Sequence, residues 1–263
     1  MPPKKTRAQN GKIQKRPVEE DLDEIEEEVK MESEDQQNKN KKENTSNDKP
    51  KSDDQDILKK LGDDDPIPKE FYNCCVVDLA QKLIGTYLVR VLDDGTILKA
   101  MIVETEAYKA PLDKACHAYN NKKTEKTKWF WQDGGYLYMY SIYGNNNCMN
   151  IVSATKDEPE AVLIRALEPI QGIQVMKKFR GSNPKLKDKD LTNGPGKLTQ
   201  AINIDKDYNG HALFEKGKLY LVKGLDKSAV QIEASKRINI DYAQEWVDKL
   251  WRFTLKGNKF VSK

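Results

Sequence analysis

Cysteine and histidine are scarce in this 263-residue sequence, which has four cysteines and two histidines. No C-x-x-C pair occurs, and His117 and His211 supply the only imidazoles, so a structural zinc site is hard to assemble. The sequence also has no secretory signal peptide and no long apolar run, which disfavours an oxidising, secreted setting and a membrane span. These absences predict a soluble intracellular protein that binds no metal, no other cofactor and no membrane.

Aromatic residues are absent from the first 65 positions, where apolar residues are also few. These positions hold 14 Lys/Arg and 19 Asp/Glu, whereas the rest of the chain holds 31 and 23 and is net basic. A segment of this composition cannot bury enough apolar surface to offset the entropy lost on ordering. We therefore predict a disordered, charged tail over residues 1–66 and one folded domain over residues 67–263.

Two basic clusters in the tail, within residues 4–16, resemble a bipartite nuclear localisation signal. This interpretation predicts that the protein is imported into the nucleus. A solvated tail that contacts nothing explains the same residues equally well, and both interpretations remain open at this point.

Apolar periodicity and turn signals divide the remaining chain into short strands and a few helices. Helices are expected around residues 76–84, 170–181 and 194–204. Strands are expected at residues 86–92, 97–108, 134–144, 161–167, 218–224, 237–240 and 250–257. Gly85 should end the first helix, and "DDGT" (93–96) should form a hairpin turn. Strands in hairpins with a few helices indicate an α+β domain around a twisted, mainly antiparallel sheet with peripheral helices.

Tyrosines alternate with aliphatic residues in the segment "YLYMYSIYG" (136–144). Tyr136, Tyr138 and Tyr140 should face one side of a strand, because successive side chains of a strand point to opposite faces. An ordinary half-buried strand is the simplest interpretation, since tyrosine is common in strands. The pattern of this segment alone indicates no function, and other motifs are needed to assign one.

Two carboxylates lie two positions apart in "MIVETEAY" (101–108). Strand alternation predicts that Ile102, Glu104, Glu106 and Tyr108 share one face, with the carboxylates about 7 Å apart. A carboxylate held among aromatic rings is a candidate general base. An exposed acidic edge is the simpler alternative, and a metal site would need a third acidic ligand that is not evident.

A histidine and a glycine-rich turn complete the candidate motifs. His117 follows Cys116 in "LDKACHAYN", but adjacent residues rarely face each other and no orienting partner is apparent, so we dismiss a Cys–His nucleophile. In "TNGPGKLTQAI", Gly194 and Gly196 precede a helix that begins with free N–H groups beside Lys197. The spacing does not fit a P-loop, and a contact with a nucleic-acid backbone is the better match. An ordinary turn before a helix remains the alternative.

Five motifs, taken in order, resemble the alkyladenine (3-methyladenine) DNA glycosylase family over residues 71–261. They are "VETEAY", "DKACHA", "LYMYSIYG" followed by "CMN", "VLIRALEP" and "GPGKL". The resemblance implies a base-excision-repair enzyme that flips damaged purines out of double-stranded DNA and hydrolyses the glycosidic bond. The expected substrates are 3-methyladenine, 7-methylguanine and deaminated or etheno-modified purines.

The resemblance also implies specific roles for ten residues. Glu106 would activate a water for attack on the sugar C1′, with Arg165 beside that water. The pocket for the extruded base would be lined by Tyr108, His117, Tyr140 and Asn150. DNA would be contacted by Tyr143, Asn145, Arg180 and Lys197. Tyr143 would fill the space left by the flipped nucleotide, and Asn150 would crowd the 2-amino group of guanine.

Further expectations concern the chemistry and the assembly. No lysine stands where a Schiff-base nucleophile would be expected, so the enzyme should be monofunctional and leave an abasic site. We also expect the protein to act as a monomer. Asn145 departs from the family, which usually has a bulky apolar residue there. Two rival functions are a catalytically silent protein that binds DNA lesions and a metal-dependent nuclease that uses Glu104 and Glu106.

Overall fold

A single antiparallel sheet organises the part of the chain that the computed structural model describes, namely residues 61–142, 146–181 and 183–262. Its eight strands are β1 (Tyr87–Val91), β2 (Ile97–Lys109), β3 (Leu137–Ile142), β4 (Asn146–Ser153), β5 (Glu160–Gln171), β6 (Leu219–Val222), β7 (Ile232–Ser235) and β8 (Arg252–Leu255). The α-helices within these residues are α1 (Val76–Leu83), α2 (Ile173–Phe179) and α3 (Pro195–Ala201). The predicted α+β class with an antiparallel sheet is therefore confirmed.

Strand β2 lies at the centre of the sheet, whose strands follow the order β3-β4-β5-β2-β1-β6. Along one edge β2 pairs with β5 over most of its length. Along the other edge it pairs first with β1 and then, around Glu104–Glu106, with β8. The middle of β2 is thus enclosed on both sides by neighbouring strands.

Helix α1 buries one face against the sheet because its apolar residues recur at helical spacing. Val76, Leu79, Ala80 and Leu83 are all fully buried. The free N–H of Val76 donates to Oε2 of Glu160 on β5 at 2.9 Å, which satisfies a donor that the helix itself leaves unpaired. As predicted, Gly85 follows the helix in a left-handed conformation, with φ of +86°.

Alternation divides the sheet into two unlike faces. Strands β3, β4 and β5 direct one set of aliphatic side chains into the main core with the three helices: Leu137, Met139, Met149, Ile151, Val162 and Ile164. The opposite face carries Tyr138, Val152 and Ala161, which pack with Phe130 and Trp131 in a second, aromatic cluster. The predicted split of the tyrosine strand into an aliphatic face and an aromatic face is therefore present.

Strict alternation along β2 was a wrong prediction. Ile102 and Ala107 belong to the same core cluster although five positions separate them. Irregular pairing with β5 between Ile102 and Thr105 shifts the register, as a β-bulge does, and reverses the parity of the strand. Ile102 consequently lies on the helix side, whereas Glu104 and Glu106 face the other way.

The predicted strand at residues 237–240 is also wrong. The strand in this region is β7, which ends at Ser235. The backbone N–H of Ile238 donates to a side chain on β2, and the guanidinium of Arg237 is buried against Asp113. The backbone N–H of Ile238 is therefore bonded to a side chain and not to a neighbouring strand.

Several predictions fall on residues outside the described ranges. Tyr143 and Asn145 are two of them, as are the basic clusters of residues 4–16 and nearly all of the tail. The boundary near residue 66 stays a prediction; the described residues all belong to one compact unit. Among the described residues, no helix is long and apolar enough to cross a membrane.

Candidate active site

One row of paired residues crosses four strands and places four side chains on the same face of the sheet. Tyr138 on β3 pairs with Asn150 on β4, Asn150 pairs with Leu163 on β5, and Leu163 pairs with Glu106 on β2. Directly opposed residues of antiparallel strands project to the same side, and neighbouring strands lie about 4.8 Å apart. We call this side, which carries Tyr138, Asn150, Leu163 and Glu106, the pocket face.

Glu106 is fully buried, yet its carboxylate is well provided with hydrogen-bond donors. The phenol of Tyr108 donates to Oε2 at 2.7 Å, and Nη1 of Arg165 donates to the same oxygen at 3.2 Å. The backbone N–H of Ile238 donates to Oε1 at 2.8 Å. Three donors from three parts of the chain therefore hold the carboxylate in one orientation.

Glu104 is also fully buried, but its hydrogen bonds tie it to structural partners. Oε1 accepts from Nε of Arg252 at 2.7 Å and from Nε of Arg165 at 3.3 Å. The C-terminal Ser262 donates its N–H to Oε2 at 2.6 Å and its hydroxyl to Oε1 at 2.8 Å. Glu104 thus joins β8 and the C-terminal segment to β2, and its oxygens are already occupied.

Arg165 bridges the two carboxylates. Burial works against its charge, but the carboxylates of Glu106 and Glu104 outweigh that effect and raise the pKa of Arg165. A cation therefore occupies the space that a metal ion would need between Glu104 and Glu106. In the described ranges, no group of three or more histidine, cysteine, aspartate or glutamate side chains is arranged to hold a metal ion.

Tyr108 stands at the edge of the pocket face, where its ring is half-buried. Burial, followed by the neighbouring charge of Glu106, raises the pKa of the Tyr108 phenol well above its usual value. The phenol consequently keeps its proton at neutral pH and donates a hydrogen bond to the carboxylate.

His117 lies over the tyrosines of β3. Its Nδ1 is hydrogen-bonded to the hydroxyl of Tyr138 at 2.9 Å, and its ring centroid lies 4.4 Å from that of Tyr140. Desolvation lowers the pKa of His117, which favours the neutral imidazole near pH 7, although the residue as a whole is exposed. Burial raises the pKa of the half-buried Tyr140 phenol, and the carboxylate of Glu106 is close enough to raise it slightly further.

Asn150 lies on the floor between these groups and is only 4% exposed. Its Nδ2 donates to the backbone carbonyl of Tyr138 at 3.0 Å, which fixes the direction of the amide. The structure therefore places six of the predicted residues on or over the pocket face: Glu106, Arg165, Tyr108, His117, Tyr140 and Asn150.

The two described residues predicted to contact DNA lie elsewhere, on the helices beside the β3–β4 hairpin. Arg180 follows α2, and its Nη1 donates to Oε1 of Gln200 on α3. Nε2 of Gln200 donates in turn to Asn146, the first residue of β4, at 3.0 Å. Lys197 is exposed on α3, and its Nζ donates to Asn193 at 2.8 Å. Arg180 is thus connected through Gln200 to the first residue of β4, and Lys197 lies on the same helix as Gln200.

Some contributors to the site were missed by sequence reasoning. Tyr138 orients His117 and packs edge-on against Phe130, with ring centroids 5.0 Å apart. The strand period already placed Tyr138 on the right face, so this role was within reach of the sequence. Ile238 contributes only its backbone N–H, and no sequence pattern marks such a donor.

Comparison with known proteins agrees with this geometry. The family model of methylpurine-DNA glycosylases matches residues 70–259. A Natranaerobius thermophilus protein provisionally named 3-methyladenine DNA glycosylase is 49% identical over 193 residues, which cover 73% of this chain and 96% of that protein. A Clostridium novyi protein with the same provisional name is 48% identical, over 74% of this chain and 97% of that protein. A Bacillus licheniformis protein, also so named, is 42% identical, over 76% of this chain and 97% of that protein. The chain belongs to the methylpurine-DNA glycosylase family.

Proposed function

We propose that the protein is a monofunctional DNA glycosylase that releases 3-methyladenine from double-stranded DNA and leaves an abasic site. The observation that carries this proposal is a buried, oriented carboxylate, Glu106, on a sheet face lined with aromatic rings. Membership of the methylpurine-DNA glycosylase family and the provisional names of the bacterial relatives support the same reaction.

Glu106 is the general base of this mechanism. An ionised carboxylate offers about four acceptor positions, and three of them are taken by Tyr108, Arg165 and Ile238. The remaining position can accept a hydrogen bond from the attacking water and then its proton. As the glycosidic bond breaks, positive charge develops on the sugar, and the nearby carboxylate stabilises it electrostatically.

The rings of the pocket face hold the extruded base. Tyr108 and Tyr140 present electron-rich faces to a positively charged alkylated purine, a favourable cation–π arrangement. Because His117 is neutral, it adds no repelling charge to such a base. If Tyr138 donates its hydroxyl proton to Nδ1, then Nε2 carries the other proton and can donate to the edge of the base.

Asn150, on the floor of the pocket, leads to a testable prediction about which purines are released. Asn150 is held by its bond to Tyr138 and should crowd the 2-amino group of an undamaged guanine. Asn150→Ser opens space there, so we expect guanine release to rise relative to hypoxanthine release. Single-turnover rates on duplexes that differ only in that base measure the ratio, and an unchanged ratio would contradict a steric filter.

A second prediction concerns Tyr143 and the flipping of the damaged base out of the duplex. Extrusion of a paired nucleotide costs about a few kcal/mol, and less when the nucleotide is unpaired. Tyr143 should recover part of this cost by filling the vacated stack. Tyr143→Ala is therefore expected to slow excision of paired hypoxanthine strongly and of bulged hypoxanthine mildly.

Asn145→Met serves as the comparison for that experiment, because it adds an apolar side chain to the same turn. We expect it to favour the flipped state and to act in the opposite direction to Tyr143→Ala. Equal losses on paired and bulged substrates would mean that Tyr143 merely packs within the protein.

Methylated DNA incubated with the purified protein tests the proposed reaction itself. We expect free 3-methyladenine to appear in the presence of a chelator, with the DNA strands intact until the abasic sites are cleaved by alkali. Strand incision that disappears with the chelator would instead favour the nuclease. Tight binding to methylated DNA without base release would favour the silent lesion-binding protein.

The proposal extends to substrate range, partner and place in the cell. We infer that 7-methylguanine and deaminated or etheno-modified purines are further substrates and that the protein binds damaged double-stranded DNA as a monomer. Arg180 and Lys197 would contact the DNA backbone beside the hairpin. Nuclear import through residues 4–16 is also proposed from the sequence alone, and the relatives compared above are bacterial.

A further inference from the structure

A buried ion pair lies beside the pocket face and contacts several of its supporting segments. The side chains of Asp113 and Arg237 are both fully buried. Nη1 and Nη2 of Arg237 bind the two carboxylate oxygens at 2.5 and 2.8 Å, and they also donate to the carbonyls of Ala107 at 2.8 Å and Trp246 at 3.4 Å. The desolvation of two buried charges offsets much of their attraction, so stability alone is a weak reason for such a pair.

Arg237 is linked to two of the three donors that orient Glu106. The next residue, Ile238, gives its backbone N–H to Oε1 of Glu106 at 2.8 Å. The guanidinium carbon of Arg237 lies 4.7 Å from the ring centroid of Tyr108, whose hydroxyl donates to Oε2. A shift of Arg237 would therefore move both donors together.

Asp113 fixes the loop that carries His117. Its Oδ1 accepts the N–H of Ala115 at 3.0 Å, and its Oδ2 accepts the N–H of Lys109, at the end of β2, at 3.3 Å. Because His117 follows four residues after Asp113, this carboxylate joins the loop to the strand that carries Glu106. The pair thus connects the end of β2, the His117 loop and the segment around Ile238.

We propose that the Asp113–Arg237 pair is a positioning device that sets the orientation of Glu106 and the walls of the base pocket at the same time. This inference rests on the proposed function, in which Glu106 is the general base. Neither residue of the pair touches the reacting atoms; both act through Ile238, Tyr108 and the His117 loop.

The test replaces the pair by neutral residues of similar shape in the double variant Asp113→Asn/Arg237→Gln, which leaves no unpaired buried charge. With enzyme in excess over methylated duplex DNA, we expect the single-turnover release of 3-methyladenine to fall about 10- to 100-fold, as is typical when the support of a catalytic group is lost. Affinity for a duplex with a tetrahydrofuran abasic-site analogue should stay unchanged, because that duplex has no base to place in the pocket.

A cycle with Glu106→Gln separates positioning from a general loss of structure. If the pair acts mainly through Glu106, the double substitution should slow the Glu106→Gln variant much less than it slows the wild type, and the remaining loss should reflect the displaced pocket walls. Leu219→Ala is the stability control, because it removes a buried side chain from β6 at the far edge of the sheet. At a temperature where every variant is folded by circular dichroism, Leu219→Ala should release 3-methyladenine at the wild-type rate.

If the double variant does not fold, Arg237→Lys can be used for the same test. Lysine keeps the positive charge but cannot make the two parallel hydrogen bonds by which the guanidinium binds Asp113. Partial loss of rate is expected for it. A wild-type rate in the folded variants, or an equal further loss in the Glu106→Gln background, would overturn the positioning role. Full turnover of Glu106→Gln by itself would instead overturn the proposed general base, so the two failures are distinguishable.

Discussion

Glu106→Gln should lower single-turnover excision by at least about 100-fold, the usual effect of losing a general base. Glutamine keeps the size of the side chain and can still accept from Ile238 or Tyr108, so the pocket should stay assembled. It cannot accept the proton of the attacking water, nor offset positive charge on the sugar. Release of 3-methyladenine from methylated duplex, with enzyme in excess, measures the loss.

The matched control for this substitution is Glu168→Gln, on the neighbouring strand β5, where it pairs with Met101 five positions before Glu106 on β2. Glu168 is half-buried and accepts a hydrogen bond from Asn258, so its neutralisation changes a comparable carboxylate outside the site. Its excision rate should match that of the wild type. Lesion binding should be retained by Glu106→Gln, and retained turnover would move the catalytic role to another group, with Glu104 the nearest carboxylate.

Arg165→Met should destabilise the fold by about 3–5 kcal/mol, the range observed when one partner of a buried ion pair is removed. Methionine fills much of the space but leaves Glu106 without its cation, beside the equally buried Glu104. Glu104 keeps Arg252, so the carboxylate of Glu106 bears most of the cost. Urea unfolding with linear extrapolation measures the loss.

Two companion variants make that result specific. Lys218→Met breaks an ion pair with Asp93 on the exposed surface and should leave the unfolding midpoint unchanged. Adding Glu106→Gln to Arg165→Met removes the unpaired charge and should restore part of the lost stability. A loss no larger than that of Lys218→Met, or no recovery in the double variant, would mean that Arg165 does not neutralise Glu106.

Local patterns of the sequence determined much of this protein. The helical spacing of apolar residues predicted α1, Gly85 marked its end, and the two-residue period of the tyrosine strand separated an aromatic face from an aliphatic one. Five short motifs in order were enough to indicate the family. These features are legible because each depends on residues within a few positions of one another.

The tertiary structure alone decided how the carboxylates are used. Alternation predicted Ile102, Glu104 and Glu106 on one face, but the irregular pairing of β2 with β5 moved Ile102 to the other side. Glu104 and Glu106 looked equivalent in sequence, and only their partners distinguish them. Ser262, 158 residues away in sequence, donates its backbone N–H to the carboxylate of Glu104.

Several of the groups that orient Glu106 are likewise far from it in sequence. Its donor Ile238 lies 132 residues further along the chain, and Asp113 and Arg237 are 124 residues apart. The sequence indicated a strand where Arg237 and Ile238 lie, because their alternating apolar pattern carries no record of a distant acceptor. Which backbone N–H meets which carboxylate depends on how strands far apart in sequence pack together, and only the folded chain determines that.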